Sequence, residues 1–222
     1  MARVGPWVTL AAVAVLGGAL VAVNMSKEDG PTGAVGTASA VSPKGTGGAG
    51  ALPTPAQKPT ATTEFPAKAD YVGTIGLASG GTMTVSITVE GDKAVAYACD
   101  GANVESWSQG SASGGTLQLT GKNDAKLDGR LEEAAVKGTL TIGAKQWAFT
   151  AQPVQAPAGL YVYESGGVRQ SWIVDGGGQV TGVQRAANGS TSAAPGLGVD
   201  ATAVIGDVLV SATKVSGADH VG

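Results

Sequence analysis

Met83-Thr84-Val85-Ser86-Ile87-Thr88-Val89-Glu90, then Gly91-Asp92, then Lys93-Ala94-Val95-Ala96-Tyr97-Ala98-Cys99, then Asp100-Gly101, is the stretch that decides the fold. In the first segment Met, Val and Ile alternate with Thr, Ser and Glu. A period of two places one set of side chains on one face of an extended chain and the other set opposite. The β-branched residues that dominate it favour a pleated strand over a helix. Gly91-Asp92 and Asp100-Gly101 are residues that accept turn conformations, so the stretch predicts an antiparallel hairpin leading into a third strand at 104–109.

The same rhythm extends outward through 116–120, 125–131, 136–142, 145–151, 160–163, 168–174 and 179–184, with Gly, Asn or Asp between most pairs. Gly-Thr-apolar opens three of the strands, at Gly81-Thr82-Met83, Gly115-Thr116-Leu117 and Gly138-Thr139-Leu140. Their uneven spacing marks a recurring hairpin start and not a solenoid repeat. At most a helical turn fits, at 132–135. A Gly/Ala/Ser-rich excursion at 186–198 precedes a last hairpin, 201–205 and 208–212, and the residues after Val215 read as frayed. The expected fold is all-β, an antiparallel meander forming a barrel or a sandwich. Residues 70–185 make the meander, and 186–222 add a loop and final hairpin to the same domain.

Upstream the composition changes twice. Between Arg3 and Lys27 lies an uncharged stretch whose apolar part, 4–23, is long enough as a helix for a bilayer core of about 30 Å. A signal peptide has a shorter apolar region and small residues at its cleavage site. The best cleavage position here follows Ala22 and puts Leu20 where a small residue is preferred, so 1–25 reads as a transmembrane anchor, with secretion as the alternative. The sole cysteine, Cys99, is far from the segment, which excludes a lipobox. Arg3 precedes the segment and Lys27-Glu28-Asp29 follows it, predicting a cytoplasmic N-terminus and an extracytoplasmic domain. Gly17, Gly18 and Ala19 would permit close helix contact within the bilayer.

Residues 26–69 are Gly, Pro, Ala, Thr and Ser almost throughout, with Pro31, Pro43, Pro53, Pro55, Pro59 and Pro66. Such a stretch buries too little to offset ordering entropy and reads as a disordered linker with a root-mean-square reach of about 35–40 Å. Gly45, Gly47 and Gly50 have the spacing of a dinucleotide motif, but no strand precedes them and no helix follows.

From Asp70 onward nine Lys or Arg stand against fourteen Asp or Glu, a net charge of −5. That balance disfavours nucleic acid, which requires a basic patch. Lys126, Asp128, Arg130 and Glu132 alternate with Leu127, Gly129 and Leu131, as on a solvated sheet face. The inventory for catalysis is thin. His220 is the only histidine and has no second metal ligand at useful spacing. Gly110-Ser111-Ala112-Ser113-Gly114 carries alanine where a serine nucleophile would stand. No catalytic, cofactor-binding or metal residue is expected, and the outsider is a glycan hydrolase using carboxylates such as Asp100, Glu105 or Asp128.

Cys99 shares strand parity with Val95 and Tyr97, which predicts a buried thiol. Trp107 shares parity with Glu105 and Gln109, Trp172 with Gln170 and Val174, and Trp147 with Lys145 and Phe149. Glu105, Trp107, Gln109, Trp147 and Trp172 are therefore the candidate ligand or partner contacts, weighed against plain core roles for the tryptophans.

The string Ala96-Tyr97-Ala98-Cys99-Asp100-Gly101 is followed by Val104, Glu105 and Trp107, by Lys145-Gln146-Trp147 with Phe149, and by Ala156-Pro157-Ala158-Gly159-Leu160-Tyr161. In these residues the chain resembles a set of actinobacterial extracytoplasmic proteins, anchored or secreted, and is similar to regions associated with serine/threonine kinase ectodomains. The resemblance covers about 70–163 and extends more weakly to the final hairpin. It implies a location and a β-rich fold and carries no catalytic residues. The kinase signatures, a Gly-rich loop with a strand lysine and a His-Arg-Asp loop, do not occur. The expected function is a non-enzymatic binding or accessory module for an envelope protein or membrane complex. The alternative is a small-ligand-binding barrel with a tryptophan-lined pocket.

Overall fold

The alternation at 82–99 becomes β2 (Thr82–Glu90) and β3 (Lys93–Cys99), paired antiparallel with Val85 opposite Ala98, Ile87 opposite Ala96 and Val89 opposite Ala94. Gly91 makes the turn between them at a φ of 61°. This is a computed structural model, and it describes residues 64–221. The expected anchor at 4–23, the linker up to residue 63 and the Gly45 motif lie outside the described residues.

The meander runs through β1 (Lys68–Gly76), β2, β3, β4 (Glu105–Ser113), β5 (Thr116–Gly121), β6 (Lys126–Glu132), β7 (Ala135–Ile142) and β8 (Lys145–Val154). Each strand pairs antiparallel with the next, and β1 also pairs with β8, closing an eight-stranded barrel. The closing seam is short, matching Asp70 with Val154, Tyr71 with Pro153 and Val72 with Gln152. Closure removes the two edges that an open meander would leave unpaired.

The barrel interior is filled. Met83, Val85, Ile87, Leu117, Leu119, Leu127, Val136, Leu140 and Phe149 point inward from successive strands, with small Ala94, Ala96 and Ala98 on β3 opposite the larger side chains of β2. An eight-stranded barrel has an interior that side chains of this size fill. Phe65 packs edge-on against Tyr71, with ring centres 6.1 Å apart, and β1 begins at Lys68. β1 thus begins inside the segment expected to be linker, 26–69. Residues 132–135 form a turn between strands and no helix.

After the cis Ala156–Pro157 peptide the chain leaves the barrel and builds a second sheet. It comprises β9 (Gly159–Ser165), β10 (Val168–Val174), β11 (Val180–Arg185), β12 (Thr191–Ala193) and β15 (Thr213–Lys214), in the order β12-β11-β10-β9-β15. The hairpin β13 (Thr202–Ile205) and β14 (Val208–Ser211) stands apart as a two-stranded sheet. The single meander expected over 70–185 is therefore two sheets, because the chain switches at 155–158 through a turn that looks like any other in sequence.

One face of the second sheet lies against the outside of the barrel. Leu160, Ile173, Val183 and Val215 pack there on Val72, Val95, Tyr97, Cys99 and Trp107. This explains why β3 is buried on both faces and reads as a continuous apolar run. It also buries Thr84, Ser86 and Thr88, the polar residues of β2 that the alternation places on an exposed face. Thr84 and Thr181 share a hydroxyl hydrogen bond of 3.2 Å, and Thr88 donates to Asp70 at 2.9 Å. Asp70 in turn meets Lys214 at 2.8 Å, tying β1 to β15.

The opposite face of the second sheet carries a third core. Tyr161, Trp172 and Val174 pack there with Leu197 and Ala203 of the final loop and hairpin. The tail is seated and not frayed. Val215 is buried in the barrel–sheet core, Ser216 donates its hydroxyl to Glu90, and Gly217 passes so close to the backbone of Val89 and Glu90 that a Cβ would collide with it.

Candidate functional site

Strand parity divides the second sheet cleanly. On β10, Arg169, Ser171 and Ile173 face the barrel while Gln170, Trp172 and Val174 face away. On β11, Thr181, Val183 and Arg185 face the barrel. The two arginines therefore occupy positions that a core would give to apolar residues, and both reach Glu105 at the start of β4.

Glu105 is almost completely buried, its side chain 1% exposed. Its Oε1 accepts from Arg169 Nη2 at 3.4 Å and from Arg185 Nε at close range, and its Oε2 accepts from the Tyr97 hydroxyl at 3.2 Å. The Arg169 guanidinium also lies 5.0 Å from the centre of the Trp107 ring, which is 4.5 Å from the Tyr97 ring. Cation–π attraction and ring packing hold Arg169 in place. One carboxylate between two guanidiniums leaves a single surplus positive charge.

This cluster lines a cleft of about 790 Å³. The barrel supplies one side, with Glu105, Trp107 and Gln109 from β4 and Lys122 after β5. The second sheet supplies Arg169 and Arg185, and the tail closes a third side at 217–221. Val221 donates its backbone N–H to Gln109 Oε1 at 3.1 Å, so the tail is fastened to the same strand that carries Trp107. The volume falls in the range of small-molecule sites.

Three of the five residues expected to contact a ligand or partner, Glu105, Trp107 and Gln109, thus share one cleft. Trp147 and Trp172 do not join them. Trp147 is half-buried and packs on the barrel interior beside Phe149, as its parity requires. Trp172 is wholly buried on the far face of the second sheet and donates its indole N–H to the Pro195 carbonyl at 2.7 Å. The three tryptophans serve three separate cores and form no common wall.

Arg169 and Arg185 went unrecognised in the sequence, being 64 and 80 residues from Glu105. The available signal is parity: each arginine shares its strand face with a core residue, Ile173 for Arg169 and Val183 for Arg185. An arginine at such a position is either a paired interior charge or the lining of a site.

Cys99 is buried, as its parity predicts, and burial pushes its thiol up to about 11. Burial likewise raises the Tyr97 phenol well above its ordinary value. Both stay protonated at neutral pH. Asp100 is held below the usual carboxylate range: burial opposes its ionisation, but backbone N–H groups of Val104, Ala102 and Asn103, each at 2.9 Å, stabilise the charged form.

Of the carboxylates considered for glycoside hydrolysis, Asp128 lies far from Glu105. Asp100 is taken up in this turn. Asp128, exposed on β6, aligns through Gln118 with Ser111, six residues along β4 from Glu105. At about 3.3 Å per residue that is roughly 20 Å, beyond the ~9.5 Å limit for an inverting pair. Among the described residues there is no group of three or more His, Cys, Asp or Glu side chains able to hold a metal, and no helix long and apolar enough to cross a membrane.

Comparison with known proteins finds no family model, no curated protein and no solved structure that matches this chain.

Proposed function

We propose that the chain is a membrane-tethered extracytoplasmic β-domain that acts as a non-enzymatic binding or accessory module for an envelope protein or membrane complex, with the barrel–sheet cleft as its contact surface. The observation that carries this reading is the cluster in which the buried Glu105 carboxylate meets the partly exposed Arg169 and Arg185 at a cleft of about 790 Å³. A buried carboxylate is costly to desolvate and its ion pairs add little net stability, whereas a few fixed polar groups in a concave site are what recognition uses. The tether rests on the apolar segment 4–23 and on the resemblance to extracytoplasmic actinobacterial proteins.

A small ligand is the second reading, favoured by the Trp107 ring in the cleft wall. The barrel interior is filled by its own side chains, so such a ligand would occupy the external cleft.

Amine-reactive crosslinking with mass spectrometry in intact cells tests the main reading. Lys93 and Lys122 border the cleft, while Lys137 is exposed elsewhere on the barrel. A partner should crosslink to the first two in preference to the third. Crosslinks spread evenly over all three lysines, or none to another protein, would count against it.

A further inference from the structure

Two N–H groups beside this cleft find no acceptor among the described residues: the indole Nε1 of Trp107 and the Nε of Arg169. Both atoms are buried, Trp107 is only 8% exposed, and both residues line the cleft. Buried donors in folded proteins nearly always have a partner. Orphaned donors that also border an open concavity mark where an acceptor from outside belongs.

The electrostatics give that acceptor a sign. Glu105 offsets one of the two partly exposed guanidiniums, leaving one surplus positive charge in the cluster, while the exposed rim adds Lys93 and Lys122 against Glu164 and Asp219 and changes that balance by nothing. Arg185 is further fastened by Nη1 to the Gly189 carbonyl at 3.1 Å, so the guanidiniums are pre-positioned. A single negative charge balances the cluster, and a guanidinium presents parallel donors that match a planar carboxylate. A dianionic phosphate would remain overcharged by one.

Resting on the reading of this cleft as the binding surface, we propose that it takes a carboxylate-bearing ligand, whose carboxylate accepts from Arg169 and the Trp107 indole. The neighbouring Trp107 ring and the wall at 217–221 then cover the group that bears the carboxylate. The chemistry is shared by a free carboxylic acid and by the C-terminal carboxylate of a peptide.

The test uses the full chain in mild detergent, labelled with 15N at the tryptophan indoles, with the Trp107 signal assigned from Trp107→Phe. Titrants are acetate, N-acetyl-alanyl-alanine, its C-terminal amide and inorganic phosphate. The proposal expects the Trp107 signal to shift saturably with acetate or the peptide acid, and the Trp147 and Trp172 signals to stay in place. Arg169→Lys should weaken that binding at least tenfold, and Arg185→Lys provides an independent check if the first variant folds poorly. Equal binding of acetate and peptide acid points to a small free acid as the source. Tighter binding of the peptide acid points to a peptide end.

Equal response to the amide or to phosphate, or no response of Trp107 to any titrant, overturns the carboxylate assignment and leaves water as the acceptor in the last case. If partner crosslinks at Lys93 and Lys122 persist in that event, the binding-module reading stands without it. If they are absent as well, both fall.

Discussion

Arg169 holds Glu105 and Trp107 at once: its Nη2 lies 3.4 Å from the Glu105 carboxylate while its guanidinium carbon sits 5.0 Å from the Trp107 ring centre. A residue on β10 thereby fixes two residues of β4, joining the second sheet to the barrel wall through a polar contact. Removing the carboxylate leaves two guanidiniums facing each other with no counter-charge. Glu105→Ala should cost about 3 kcal/mol, the lower end of the range for breaking a buried pair because Arg185 is partly exposed. Glu105→Gln, which retains acceptors, should cost less. Urea denaturation checks both, and equal stabilities for the two variants would remove the electrostatic role given to Glu105.

The separate cores of Trp147 and Trp172 predict unequal substitution costs. Trp172→Phe loses the bond to Pro195 and opens space in a fully buried core, for about 2 kcal/mol. Trp147→Phe, at a half-buried position, should cost about 1 kcal/mol or less. Matching losses in thermal denaturation would contradict the assignment of the two residues to different environments.

The Cys99 thiol predicts an alkaline weakening with a defined share. Its folded value is raised from 9.0 to about 11 by burial. The protonated form is the one the fold favours, so its contribution is complete below the unfolded value and is lost as pH rises through the folded one. The difference amounts to about 2 kcal/mol between pH 9 and 11. Cys99→Ala should lose that much less stability over this window than the parent chain. In the folded parent a thiol reagent at pH 8 should react only at the rate of unfolding.

Acid acts on two other contacts with the opposite sign. Lys68 and the Ser216 hydroxyl hold the Glu90 carboxyl below its ordinary value, and backbone N–H groups do so for Asp100 against the effect of burial. Each contribution is present above the unfolded value of about 4 and lost as pH falls through the lower folded value. Backbone NMR signals of Gly217 and Val104 should therefore move on acidification in that window. Glu90→Gln should remove the pH dependence of the first and leave that of the second.

How far these features were legible in the sequence depends on their range. Strands β2 and β3 follow from the alternation of Met83 through Cys99, and the burial of Cys99 follows from its parity with Val95 and Tyr97. Barrel closure was not legible, because the seam rests on three residues of β1, Asp70, Tyr71 and Val72, pairing with a strand some eighty positions away. Thr84, Ser86 and Thr88 have the composition of a wet face and become buried only because a later sheet covers them. In the cleft, Glu105, Trp107 and Gln109 could be grouped from local parity. Their arginine partners could not, since parity states which way a side chain points and not what it meets.

The cleft beside Trp107 is the proposed contact surface of this domain. A photo-crosslinking amino acid placed at Lys122, on the cleft rim, and separately at Asp128, on the uncovered barrel wall, tests it in intact cells. One discrete adduct is expected from position 122, lost on adding Arg169→Lys, and none from position 128. An adduct from position 128 with none from position 122 would contradict it.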